Sequence, residues 1–293
     1  MTLRIGVGGT DRQDEERWIV EELEDRGHDA VFIDPADVSY LLTGGELTVR
    51  YRGQSLNDLD LLYMRRTRFD VEASRDLVAA ADELGVPSVE KKDVFFNPLS
   101  KFYSLLSFVG EELDGVNVPA TAVVRDASDS GPIAGAIGYP LIVKPVSGRE
   151  GEGVTRIDER EELEQALDDA DFPVLLQEYI DIEEEYRVLV VGGNPLGTAV
   201  KQVGDDADPA ARNYAQGAEF AAVDMPAVER AAVAVAELMD IEVAGVDIVE
   251  AGDGTLYELE CNRCPQFEGF AAAHPDVDVA SEIVDYLEER AAP

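Results

Sequence analysis

Short apolar runs alternate with amphipathic stretches along the chain, in an order that predicts a mixed α/β protein. Residues 3–9 read as a buried strand. Residues 13–26 read as an acidic amphipathic helix, with Trp18, Ile19 and Leu23 at helical spacing and Gly27 as its stop. Residues 30–33 form a second strand, and a strand–helix–strand opening implies a parallel sheet. Strands are expected at 47–52, 59–64 and 86–89, with a helix at 72–84. Asn97-Pro98 interrupts this pattern and sets a first domain boundary, and a new helix starts at Ser100. Beyond it come strands at 118–124, 139–144 and 172–180 and a short acidic helix at 158–168. A hairpin turns at Gly192-Gly193-Asn194, a polar loop fills 204–217, and an Ala-rich helix covers 226–239. A second hairpin spans 245–262 and a helix at 279–290 closes the chain. The early glycines Gly6, Gly8 and Gly9 do not complete a G-x-G-x-x-G spacing, so they read as a tight strand-to-helix turn.

The 245–262 hairpin carries the densest candidate chemistry. Asp253-Gly254 is a strong signal for a two-residue hairpin loop. That register sets Asp247 directly across from Glu260, and strand alternation puts Glu258 and Asn262 on the same face, with Cys261 on the other. Opposed carboxylates about 5 Å apart repel. A hard cation with oxygen ligands removes the conflict, and an Asp, Glu and Asn set suits Mg²⁺ whose shell is completed by phosphates. The alternative is an exposed acidic hairpin in an acidic protein.

Charge changes the picture next. The 293 residues carry 62 acidic and 24 basic side chains, a net charge of −38. Such a surface repels nucleic acid and anionic membranes, which excludes both as expected partners. The acids are spread among Ala and Val rather than gathered in a tail, a pattern that suits a salt-loving habitat where ionic strength screens self-repulsion. Only five lysines occur, Lys91, Lys92, Lys101, Lys144 and Lys201, so each carries more weight. The start of the chain shows no long apolar segment. Cys261 and Cys264 lack the further ligands of a zinc site and read as reduced thiols, so a cytoplasmic protein is expected. Arg65, Arg66 and Arg68, at the end of the 59–64 strand, form either an anion clamp or local salt bridges.

The strand that ends on Lys144 runs into Ser147-Gly148-Arg-Glu-Gly151-Glu-Gly153, a glycine-rich loop whose backbone N–H groups can approach a phosphate closely. A Walker A sequence is absent. Lys101, Pro-Leu-Ile-Val-Lys144-Pro with the three glycines, Gln177-Glu178-Tyr179-Ile180, Ala244-Gly-Val-Asp247-Ile and Glu260-Cys-Asn262 occur in that order. Together they resemble the ATP-grasp ligases, in the branch of RimK-type α-L-glutamate ligases and glutathione-synthetase-like enzymes. The resemblance covers about 97–290. It implies an α+β ATP-grasp fold: a Rossmann-like pre-ATP-grasp domain over 1–97, a small lid subdomain over 98–173, and a subdomain with the metal site over 174–293. It implies further that Lys101 and Lys144 contact the nucleotide phosphates, Lys144 also the adenine edge. Gln177, Glu178 and Tyr179 meet the adenine, and Glu185 holds the ribose. Lys201 faces the phosphates, and Gly148, Gly151 and Gly153 form a lid. Asp247, Glu260 and Asn262 hold Mg²⁺, with Mn²⁺ as a substitute.

Two segments depart from the family pattern. The family's Arg-x-Asn appears as Arg212-Asn213, one place off, and Asn262 is followed by Arg263-Cys264-Pro265-Gln266-Phe267. Both lie on the acceptor side. The implied activity is an ATP- and Mg²⁺-dependent carboxylate–amine ligase acting through an acyl phosphate, with Arg212, Asn213 and Lys201 at the reacting groups. It joins glutamate or another amino acid to a small carboxylate acceptor, and self-association is left open. The alternative is a nucleotide-binding regulatory protein without turnover.

Overall fold

The computed structural model describes residues 1–9, 14–65, 71–96, 104–113, 115–146, 153–168, 170–202 and 219–292. The chain opens with β1 (Arg4–Gly8), α1 (Asp14–Asp25), β2 (Asp29–Ile33), β3 (Val38–Thr43), β4 (Glu46–Tyr51), β5 (Gln54–Ser55), β6 (Leu61–Met64), α2 (Val71–Glu83), β7 (Ser88–Val89) and α3 (Lys92–Phe96). Strands β2-β1-β6-β7 form a parallel sheet, as the strand–helix–strand pattern implies. Strands β3-β4-β5 make a small antiparallel sheet beside it. The glycines of β1 are packing residues within the strand. A Cβ at Gly8 would sit 2.3 Å from Met64 Sδ, and one at Gly6 2.8 Å from Ile33 Cδ1.

Strand β8 (Thr121–Val124), α4 (Ala127–Ile137), β9 (Leu141–Pro145), β10 (Thr155–Ile157), α5 (Arg160–Asp168) and β11 (Val174–Glu178) follow. Their strands pair antiparallel in the order β10-β9-β11-β8. Helix α4 escaped the hydrophobic pattern because Gly131, Pro132 and Gly135 punctuate it. Its N-cap decides its start: the Asp126 carboxylate accepts from Ser128 N.

The largest sheet is built from β12 (Ile182–Val191), β13 (Asn194–Gln202), β14 (Glu219–Val223), β15 (Val243–Ala251) and β16 (Leu256–Asn262), antiparallel in the order β14-β13-β12-β15-β16. One face is apolar: Tyr186, Val188 and Val190 of β12 and Val246 and Ile248 of β15 pack on Val228, Ala231, Ala232 and Val235 of α6 (Pro226–Leu238). The short α7 (Glu268–Ala273) and the closing α8 (Val279–Ala291) lie elsewhere. Ile283, Val284 and Leu287 of α8 share one core with Ile5 and Val7 of β1, Ile19 and Leu23 of α1, and Leu189 and Val191 of β12. The last helix therefore fills the space between the first sheet and the largest one. Among the described residues no helix is long and apolar enough to cross a membrane.

A buried carboxyl group joins these parts. Glu90, which follows β7, is 1% exposed and accepts from Glu242 N at 2.6 Å and Val243 N at 2.8 Å. Burial pushes its pKa up to about 8, against the pull of the two backbone donors. A carboxyl whose folded pKa lies above its ordinary 4.5 contributes stability that is fully present below 4.5 and is lost as pH rises toward about 8. Relative to Glu90→Gln, the wild type should therefore lose stability across that window, by at most about 1.4 kcal/mol per pH unit. Urea unfolding of both proteins at matched high salt checks the difference. A parallel pair of curves refutes it. Gly192, at φ +57°, faces the Tyr286 ring of α8, where a Cβ would sit 2.4 Å from Cδ2. Gly192→Ala should cost about 1–3 kcal/mol in the same assay.

Candidate active site

The face of the largest sheet turned away from α6 carries a row of charges. Along β12, Glu185 and Arg187 alternate with the apolar residues that face the helix. Lys201 of β13 donates to Glu185 at 2.8 Å, and both side chains are largely buried. Burial raises the Glu185 pKa and the Lys201 charge opposes the rise. Arg187 lies across from Asp247 and grips it with two hydrogen bonds of 2.7 Å, Nε to Oδ1 and Nη2 to Oδ2. The Asp247 charge holds the guanidinium firmly protonated. Asp247 in turn lies across from Glu260, and Gly245 from Asn262. The three oxygen donors expected from the sequence thus share one face.

The turn that sets this register differs from expectation. Ala251 N donates to Thr255 O and Gly254 N to Ala251 O, with Gly254 at φ +84°, so the loop has three residues, Gly252-Asp253-Gly254. A three-residue loop alone would shift Asp247 off Glu260. An extra residue in β16, Leu259, restores the pairing as a β-bulge between Glu258 and Glu260. The bulge also breaks the alternation that grouped Glu258 with Glu260. Glu258 lies opposite Ile248 and is 3% exposed. Burial, then repulsion by Glu260 and Asp247, pushes its pKa up to about 8. Lys144, from the four-stranded sheet, is near enough to oppose that rise. Asn117 joins the segment before β8 to β16, accepting from Glu258 N and donating to Leu256 O, both at 2.8 Å.

Lys144 donates to Gln177 Oε1 at 2.7 Å, and Gln177 Nε2 donates to Thr121 Oγ1 at 2.8 Å. These bonds fix the lysine across β9, β11 and β8. Glu178 and Tyr179 give their backbone N–H groups to Ala120 O and Pro140 O, and the guanidinium of Arg156 stacks 4.2 Å over the Tyr179 ring. Gly153 closes against Pro145 at the end of β9, where a Cβ would come within 2.9 Å of its ring. Lys101, Gly148, Gly151, Arg212, Asn213, Arg66 and Arg68 lie outside the described residues. Arg65 is no anion clamp. It is fully buried and bonded to Glu16 Oε1 at 3.1 Å, Glu15 Oε2 at 3.3 Å and Pro265 O at 3.1 Å. Cys261 and Cys264 form no disulfide, and Cys261 packs against the α6 core, where burial pushes its pKa well up.

Asp247, Glu260 and Asn262 fit a hard divalent ion in donor chemistry, and two opposed carboxylates call for positive charge. Among the described residues no group of three or more His, Cys, Asp or Glu is arranged to hold an ion. The donors present, two acids and an amide, therefore suit a metal that takes the rest of its shell from phosphate and water. Sequence reasoning missed Arg187 and the burial of Glu258. Arg187 was findable, since it stands two places from Glu185 on one strand face.

A parallel sheet, an antiparallel sheet bearing Lys144 and a larger antiparallel sheet bearing oxygen donors define a nucleotide-dependent ligase architecture. A profile of the RimK-like ATP-grasp domain matches residues 101–287, and the chain belongs to that family of ATP-dependent ligases. A probable alpha-L-glutamate ligase of Serratia proteamaculans (strain 568) is 29% identical over 284 residues, spanning 94% of this chain and 92% of that protein. A second, from Maridesulfovibrio salexigens, is 27% identical over 282 residues, spanning 94% and 91%. In three dimensions the fold is similar to the ATP-grasp ligase PsnB complexed with minimal precursor, Mg and ADP, at a TM-score of 0.75, 20% identity and coverage of 100% and 99%. It is similar also to the macrocyclase MdnC of Microcystis aeruginosa, at a TM-score of 0.75, 16% identity and coverage of 98% and 100%.

Arg187 and Asp247 are 22% and 14% exposed, so removing one partner leaves a poorly solvated charge. Arg187→Gln should destabilise the protein by about 2–4 kcal/mol in urea unfolding. Breaking the exposed Arg160–Glu164 pair should cost under about 0.5 kcal/mol. Equal losses would contradict this ranking of the two pairs.

Proposed function

We propose that the chain is an ATP- and Mg²⁺-dependent carboxylate–amine ligase that adds glutamate or another amino acid to a small acceptor. The observation that carries this reading is the oxygen-donor face, where Asp247 lies across from Glu260 and Gly245 from Asn262, with the Lys144 charge acting on the neighbouring Glu258. Positive charge from one sheet beside oxygen donors from the other is what a triphosphate and its metal need between them.

The chemistry asks for positioning rather than a nucleophilic side chain. A substrate carboxylate oxygen attacks the γ-phosphorus of ATP. The new O–P bond forms as the bond to the β-phosphate oxygen breaks, and ADP leaves. The amine nitrogen then attacks the acyl carbon, the C–O bond to phosphate breaks, and the nitrogen gives up a proton. Lys144, steadied by Gln177, orients phosphate oxygens, and Lys201 adds positive charge beyond Glu185. Bound at Asp247, Glu260 and Asn262, Mg²⁺ supplies charge neutralisation. Lys101, Gly148, Gly151, Gly153, Glu178, Tyr179, Arg212 and Asn213 complete the nucleotide and acceptor contacts in this reading.

The acceptor is a small carboxylate compound, because the acidic surface disfavours an acidic protein tail unless salt screens it. The same composition suits a cytoplasm rich in salt, with no nucleic acid as partner. An ADP-release screen in molar KCl, with amino acids and acceptors varied and products weighed, tests the proposal. One ADP and one phosphate should appear per amide formed, and Asp247→Asn should cut the rate at least about 100-fold. Folded protein that releases no ADP with any pair would overturn it, and nucleotide binding without product would favour a regulatory protein.

A further inference from the structure

The hairpin of β15 and β16 is gripped at its open end by the N-terminal part of the chain. Glu90 takes the backbone N–H groups of Glu242 and Val243, where β15 begins. Arg263, immediately after β16, gives Nη1 to the carbonyls of Val94 at 2.9 Å and Phe95 at 3.0 Å, with its guanidinium 4.8 Å over the Phe95 ring. Arg65 then holds Pro265 O, and Glu15 Oε1 accepts from Phe267 N at 2.8 Å. The other end of the hairpin, Gly252-Asp253-Gly254, is exposed. Every partner in this grip lies far away in sequence: Glu90, Arg65 and Glu15 bond to main chain beside the donors, and Arg263, next to Asn262, bonds through its side chain to the main chain of α3.

Buried charges are an expensive way to hold two pieces of protein together, since apolar side chains of the same size would pack as stably. They do one thing apolar packing does not. A carboxyl group on two successive N–H groups fixes the rotation and height of a strand end, and a guanidinium anchored on two successive carbonyls fixes the backbone from which it projects. The strand ends fixed here lead directly to Asp247 on one side and to Glu260 and Asn262 on the other. We infer that Glu90 and Arg263 are positioning residues for the oxygen-donor face: they fix the open end of the hairpin against the end of β7 and against α3. The inference rests on the reading of that face as the cation site.

The test uses the full chain in molar KCl with Mn²⁺ alone as probe, its binding read by electron paramagnetic resonance. The component abolished by Asp247→Asn defines the site and separates it from ions held by the acidic surface. Glu90→Ala should weaken this component about 10-fold or more, Glu90→Gln, which keeps one accepting oxygen, by less, and Arg263→Lys several-fold. Gly6→Ala serves as control, because its Cβ would crowd Ile33 and Leu59 inside the N-terminal sheet, away from the grip, and it should leave Mn²⁺ affinity unchanged. Amide hydrogen exchange is followed in parallel. Residues 243–249 and 258–262 should exchange faster in the Glu90 and Arg263 variants than in Gly6→Ala of matched stability. If affinity and exchange in the grip variants only track stability, as in the control, the inference is wrong. If the wild type shows no component sensitive to Asp247, the cation reading fails instead, and exchange alone decides the grip. Should Glu90→Ala not fold, Arg263→Lys carries the same comparison.

Discussion

Two carboxylates held across a strand pair, Asp247 against Glu260, are the constraint around which this protein is arranged. Left alone they repel, and a third acid, Glu258, is buried beside them. In a chain of net charge −38 the nearest cations are few, and the structure spends them here. Arg187 binds Asp247 through both oxygens, Lys201 neutralises Glu185 at the next position along the row, and the Lys144 charge opposes the rise in the Glu258 pKa. The balance stays negative at the β15–β16 end and positive at Lys144. That polarity is what a metal–triphosphate requires.

The row exists because β12 and β15 are two-faced. Alternate residues go to the apolar α6 core, and of the others Glu185, Arg187 and Asp247 form the charged row while Leu189 and Val191 enter the core shared with α8. The apolar face supplies cohesion, while the charged face is left to chemistry. The same division explains why Cys261, between Glu260 and Asn262, is an inert core thiol. It explains also why the N-terminal sheet holds the hairpin by its backbone. Side chains on the outer face are committed, so the main-chain groups at the strand ends remain for Glu90, Arg65 and Glu15.

Much of this was legible in the residues. Period-two and period-3.6 patterns located most strands and helices, because half-buried elements must alternate. The opposition of Asp247 and Glu260 followed from Asp253-Gly254 and strand parity, though by a route the structure corrects. The loop has three residues, and the bulge at Leu259 cancels the error. A bulge has no local sequence signal, so Glu258 was placed on the wrong row. Helix α4, with a proline inside it, and β3, an exposed strand, were missed for the same reason: tertiary pairing and capping overrode weak local preference.

By itself, then, the sequence determined which residue types stand two apart on which strands, and hence which of them a strand pair brings to one face. It determined the α/β class, because periodicity and turn chemistry are local properties. Tertiary structure alone decided what those charges meet. That Arg65 serves Glu15 and Glu16 rather than an anion, that Arg187 grips Asp247, and that Glu90 holds the start of β15 are facts about segments 49 to 153 residues apart. Coulombic and hydrogen-bond energies depend on distance and burial, and neither is set until the sheets have closed on one another.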